Sequence, residues 1–137
     1  LVTTVAIALA EYHDIDKPYA FNRKEAKMRA EGGTIVGASL KGRVLIIDDV
    51  ISAGVTIGES VQILHDAHCE LAGVAISVDR QERTQDGNLS AVIEVENSYR
   101  VSVINIIRLA DLMQYLEEHG QYAEDLQRIR VYNQVYG

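Results

Sequence analysis

The sequence predicts an α/β domain in which a mainly parallel sheet is flanked by helices. Short apolar, β-branched runs alternate with segments of helical spacing. One run, Arg43–Ile47, is continuous, lies between Gly42 and two aspartates, and has the pattern of a parallel strand buried on both faces. The 137 residues, 47% hydrophobic with a single Pro, suit one domain with a packed core. A mean hydropathy of -0.02 excludes a disordered or collagen-like chain.

The elements follow in order. Val2, Ala6, Leu9 and Ala10 recur at helical spacing, so Leu1–His13 reads as a helix packed by one face. The chain opens on Leu directly inside that pattern, and the domain, 1–137, is expected to be incomplete at its N-terminus. Asp14–Pro18 is a turn and Tyr19–Phe21 a short strand. Residues 24–34 have no period and carry Gly32 and Gly33, the marks of a mobile loop. The strand Arg43–Ile47 ends at Asp48 and Asp49; a loop holding Ser52, Gly54 and Thr56 leads to a helix over Ile57–His68, spaced by Ile57, Val61 and Leu64. Leu71–Val78 is a second buried strand, ending in Asp79-Arg80-Gln81-Glu82-Arg83, and Gln85–Asn88 is a turn. Ser90 is placed to cap a helix carrying Val92, Val95 and Tyr99. Val101–Ile107 is the third strand. Leu109–Glu118 and Ala123–Val135 are the last helices, the first with Leu109, Leu112, Met113 and Leu116 on one face, the second with Leu126, Ile129 and Tyr132.

No apolar run reaches the ~18–20 residues of a membrane span, and Leu1–Ala10 lacks the flanks of a signal peptide. A single cysteine, Cys69, forms no internal disulfide, so a soluble, cytoplasmic chain is expected. Thirteen basic against twenty acidic residues give a net charge of -7, which opposes binding to nucleic acid or an anionic membrane. The segment Arg23–Arg29 reverses that sign: Arg23, Lys24, Lys27 and Arg29 against Glu25 leave +3 there and -10 elsewhere. Such a grip suits a small polyanion.

The segment with most chemistry is Val44–Thr56. Apolar strand residues deliver paired carboxylates, Asp48 and Asp49, to the carboxyl rim of the sheet, where ligands of such folds bind. The loop that follows offers hydroxyls, free backbone N–H groups and a helix N-terminus to a phosphate monoester. The acids suit ribose hydroxyls or a divalent cation. No Lys follows the Gly, so this is not a nucleotide P-loop.

Val44-Leu45-Ile46-Ile47-Asp48-Asp49-Val50-Ile51-Ser52-Ala53-Gly54-Val55-Thr56 resembles the phosphoribosyl-pyrophosphate binding motif of type I phosphoribosyltransferases. Phe21–Lys27 with Glu31-Gly32-Gly33, and Asp79–Arg83, resemble the orotate phosphoribosyltransferase family, and the resemblance runs over essentially the whole chain. It implies transfer of 5-phosphoribosyl from phosphoribosyl pyrophosphate to orotate, giving orotidine 5-phosphate and pyrophosphate, with Mg2+, in a homodimer that shares its active sites. It further implies that Arg23, Lys24 and Lys27 bind pyrophosphate, Lys27 in the partner's site, and that Arg29 keeps a cation in the loop. Asp48 and Asp49 would hold the ribose hydroxyls and help place Mg2+ through substrate or water; Val50 and Ile51 would bind substrate together with the 5-phosphate loop Ser52-Ala53-Gly54-Val55-Thr56. Arg80 would pair with the orotate carboxylate, a planar task that suits guanidinium. Lys27, Asp48 and Asp49 are thus the catalytic candidates.

The chain departs from the family at Arg29-Ala30, where His-Gly is usual, and at Ser52 and Val55, where Thr is common. Two other readings remain open: a non-catalytic phosphoribosyl-pyrophosphate-binding regulator, and a transferase for another base. Elsewhere, His13, His65, His68 and His119 form no metal-ligand spacing with Cys69. Tyr115, Tyr122, Tyr132 and Tyr136 read as helix packing, and Glu117, Glu118, Glu124 and Asp125 as solvated surface.

Overall fold

The computed structural model describes residues 1–23, 35–51, 55–84 and 89–137, with the backbone alone at 55 and 56. Three parallel strands form its centre: β3 (Arg43–Val50), β4 (Glu70–Asp79) and β5 (Val103–Arg108), in the order β3-β4-β5. A separate antiparallel ribbon joins β1 (Ala20–Asn22) to β2 (Ile35–Gly37). The helices are α1 (Val2–His13), α2 (Val55–Asp66), α3 (Ala91–Tyr99), α4 (Leu109–His119) and α5 (Ala123–Tyr136). The expected α/β class, with a mainly parallel sheet flanked by helices, is therefore observed.

Parallel strands need a crossover, and α2 and α3 supply them between β3 and β4 and between β4 and β5. Their apolar sides meet one face of the sheet. Ile57 and Val95 pack with Val74, Ile76 and Val103, and Ile46 and Val61 lie against the cluster. Val74 has no exposure and Ile57 1%. Ser90 caps α3, its Oγ accepting from the Ile93 N–H, as the sequence predicts.

The opposite face corrects one expectation. Arg43–Ile47 is not buried on both faces: Leu45 is 46% exposed. On β5, Ile104 and Ile106 are 59% and 85% exposed. An apolar run is buried only where an element covers it, and α2 and α3 pack on the Val74 side. Near β3, α1 supplies partial cover, lining with Leu45 and Ile47 a cavity of about 470 Å³. No side chain of α1 is fully buried.

Other boundaries also move. β3 continues through Asp48 and Asp49 to Val50, so the two acids sit in its last turn of pleat rather than beyond it. β2 is a strand that the sequence reading leaves unassigned. It depends on Gly37, at φ 121, where a Cβ would lie 2.5 Å from the Tyr19 carbonyl oxygen. α2 stops at Asp66, because His68 turns left-handed at φ 54. Asp14 and Arg100 close α1 and α3 in the same conformation. Of the tyrosines near the C-terminus, Tyr115 and Tyr136 are 50% and 54% exposed, and their ring contacts are within their own helices, Tyr115 with His119 and Tyr136 with Tyr132. The expected mobile segment 24–34 and the turn 85–88 lie outside the described residues.

Ile57 ties the start of α2 to the core. Ile57→Ala is expected to lower unfolding stability by about 3 kcal/mol, and Ile57→Val by about 1 kcal/mol, read as shifts of the urea midpoint at constant slope.

Candidate active site

Parallel pairing places the carboxyl ends of β3 and β4 side by side. Asp48 pairs with Ile76 and Val50 with Val78, so Asp79 and Arg80 follow at the same rim as Asp48 and Asp49. The first turn of α2 begins a few residues after β3, and the N-terminal turn of a helix carries N–H groups without partners inside the helix, which can attract an anion.

Asp48 is half-buried and Asp49 exposed. Asp48 Oδ1 accepts from the Asp49 N–H at 2.9 Å, and Asp49 Oδ1 accepts from the Val50 N–H at 2.8 Å. Burial raises the Asp48 carboxyl above its ordinary range; the Asp49 N–H works against this and the Asp49 carboxylate adds to it. Charge on Asp48 is thus held at a cost.

Asp48 also lines a cleft of about 420 Å³ with Phe21 and Asn22 of β1 and Glu59 and Ser60 of α2. Arg23 follows Asn22 and is exposed. The rim therefore gathers the end of β1, the acids and α2. Ile51 is 6% exposed and its side chain belongs to the core cluster. Lys24, Lys27, Arg29, Ser52, Ala53 and Gly54 lie outside the described residues, and Val55 and Thr56 are placed by backbone only, opening α2.

At β4, Arg80 Nη2 meets Glu82 Oε2 at 2.8 Å. Glu82 also accepts from the Tyr132 hydroxyl of α5. Sequence reading singles out Arg80 but not this pairing. Its one local signal is the i,i+2 spacing of Arg80 and Glu82; Tyr132 is far along the chain. Asn22, Glu59 and Ser60 are likewise missed, since only the fold brings them to the cleft.

Among the described residues no three His, Cys, Asp or Glu side chains cluster to hold a metal. Two adjacent carboxylates do fit a cation that keeps several waters and takes other oxygens from a diphosphate, as Mg2+ does. No helix among the described residues is long and apolar enough to cross a membrane.

Residues 5–106 match the phosphoribosyl transferase domain. An orotate phosphoribosyltransferase of Escherichia coli O9:H4 (strain HS) is 53% identical over all 137 residues, and one of Aliivibrio fischeri (strain MJ11) is 49% identical over the same span. The chain spans 64% of the length of each of these curated relatives. The solved orotate phosphoribosyltransferase of Francisella tularensis is similar with a TM-score of 0.81 and 33% identity, covering 99% of this chain and 64% of that one.

The raised Asp48 carboxyl has a consequence for stability. Its folded value lies above the unfolded one, so the folded chain binds more protons between the two and stability falls as pH rises through that window. Asp48→Asn removes the charge and keeps an oxygen for the Asp49 N–H. The variant is expected to melt at a higher temperature than the unaltered protein at pH 7. Below both values the difference should vanish, which a pH series of thermal melts checks.

Proposed function

This chain belongs to the phosphoribosyl transferase domain family, matched over residues 5–106, and on that premise we propose that it carries out orotate phosphoribosyltransferase chemistry. The substrates are phosphoribosyl pyrophosphate and orotate, and the products orotidine 5-phosphate and pyrophosphate, a step of pyrimidine (UMP) synthesis. The observation that carries the reading is the shared rim. Paired acids stand beside a helix N-terminus, and an arginine suited to a carboxylate follows the neighbouring strand. Agreement over the whole of this chain with relatives of that name, 64% of whose length it spans, supports it.

In the reaction a ring nitrogen of orotate bonds to the anomeric carbon while the bond from that carbon to the pyrophosphate oxygen breaks. Pyrophosphate leaves with the electron pair, and the proton of that ring nitrogen is released to the leaving pyrophosphate or to water. Negative charge grows on the leaving group and positive character on the ribose, so groups fixed against those charges act more strongly on the transition state than on the ground state. Arg23, Lys24 and Lys27 take the leaving-group role, with Arg29 adding a cation. Asp48 and Asp49 hold the ribose hydroxyls and support the electron-poor ring. The segment Val50–Thr56 leads the chain into α2 and binds the 5-phosphate through Ser52, Ala53, Gly54, Val55 and Thr56. Arg80 orients orotate by its carboxylate.

Mg2+, held near Asp48 and Asp49 through substrate or water, would neutralise charge on the pyrophosphate when bound. A closing loop over 24–34 would exclude water from the activated sugar. The reading carries with it a homodimer, in which Lys27 reaches the partner's site, and a cytoplasmic setting.

Incubation of the purified protein with phosphoribosyl pyrophosphate, Mg2+ and orotate tests the proposal. Orotate absorbance is expected to fall as pyrophosphate is released in equal amount. Constant absorbance, with phosphoribosyl pyrophosphate still bound in calorimetry, would make the chain a sensor instead. Preference for uracil or a purine in base competition would reassign the acceptor. Lys27→Ala should reduce turnover about 10²-fold or more while orotate KM stays within about twofold.

A further inference from the structure

The segment after β4 is clamped from both later helices. Asp79 Oδ1 accepts from the Gln81 N–H at 2.8 Å, holding Gln81 left-handed at φ 56. The Gln81 side-chain oxygen accepts from the Ala110 N–H at 2.9 Å, at the start of α4. The Arg83 N–H donates to the Tyr136 carbonyl at 2.8 Å, at the end of α5. A non-glycine residue held left-handed is a local strain that neighbouring contacts must maintain.

Within this clamp Glu82 has two partners. Its Oε2 meets Arg80 Nη2, and its Oε1 accepts from the Tyr132 hydroxyl. The Glu82 side chain is 18% exposed, so its carboxylate has little solvent to lean on and its direction follows these partners. Arg80 Nε is enclosed without an acceptor among the described residues, leaving Glu82 as the side-chain acceptor on the guanidinium there. The Tyr132 ring itself packs on Tyr136 at 4.7 Å between centroids. Orientation thus passes from the last helix to the rim.

We propose that Tyr132 is a positioning residue: through Glu82 it sets the plane of the Arg80 guanidinium to receive the carboxylate of the acceptor base. The inference rests on the reading of Arg80 given above. A planar fork binds a carboxylate well only when its plane is fixed. Glu82 fixes that plane only while its own carboxylate is held. Tyr132, fifty residues downstream, holds it.

Steady-state kinetics of Tyr132→Phe test this, because the ring stays and only the hydroxyl goes. Orotate KM is expected to rise about tenfold, with the KM for phosphoribosyl pyrophosphate within about twofold. Val135→Ala, on the same helix with its side chain exposed, should leave both unchanged. In a Glu82→Gln background, Tyr132→Phe should add much less than its full effect, since the two act as one unit. An unchanged orotate KM in Tyr132→Phe overturns the proposal alone. So does an equal rise in both KM values with a lowered melting temperature, or a full tenfold effect in the Glu82→Gln background. Failure of the unaltered protein to bind orotate in calorimetry overturns the reading of Arg80 as well.

Discussion

Everything at the candidate site depends on the parallel pairing of β3 with β4. In a parallel pair both strands end at the same rim, so the acids of one strand and the arginine following the other become neighbours although about thirty positions separate them in sequence. An antiparallel pairing would send them to opposite ends. The pairing in turn requires α2, and α2 is held by Ile57 against Val74 and Ile76. The same core that stabilises the fold therefore fixes the start of α2, whose Glu59 and Ser60 line a cleft with Asp48.

Charge at the rim is arranged asymmetrically. Asp48, half-buried and beside Asp49, resists ionisation, whereas Arg80 already has a carboxylate partner in Glu82. A ligand with a cation-bound diphosphate and sugar hydroxyls relieves the first tension. The two ends of the rim thus present different chemistry.

Much of this is legible in the residues. Val44–Ile47 announces its strand by an unbroken apolar run, Ser90 its helix by capping, and Leu109 with Leu116 the buried stripe of α4. The paired acids can be placed because an apolar run followed by two carboxylates has few other uses. What was not legible depends on distant partners. β2 is three residues long and exists by pairing with β1, through Gly37 approaching Tyr19. The exposure of Leu45, Ile104 and Ile106 follows from which face the helices cover, and a β-branched run looks alike whether covered or bare. The Tyr132–Glu82 contact joins segments fifty residues apart, and Tyr132 by its spacing reads only as a residue of a helix face.

The helix ends deserve a last comparison. Gly120 closes α4 in the left-handed conformation without steric cost, whereas Asp14, His68 and Arg100 end α1, α2 and α3 the same way while carrying a Cβ. Each such residue carries a penalty of roughly 1 kcal/mol that glycine would avoid. The chain consequently retains unused capacity for heat resistance at three positions outside the candidate site, open to protein engineering without touching the rim.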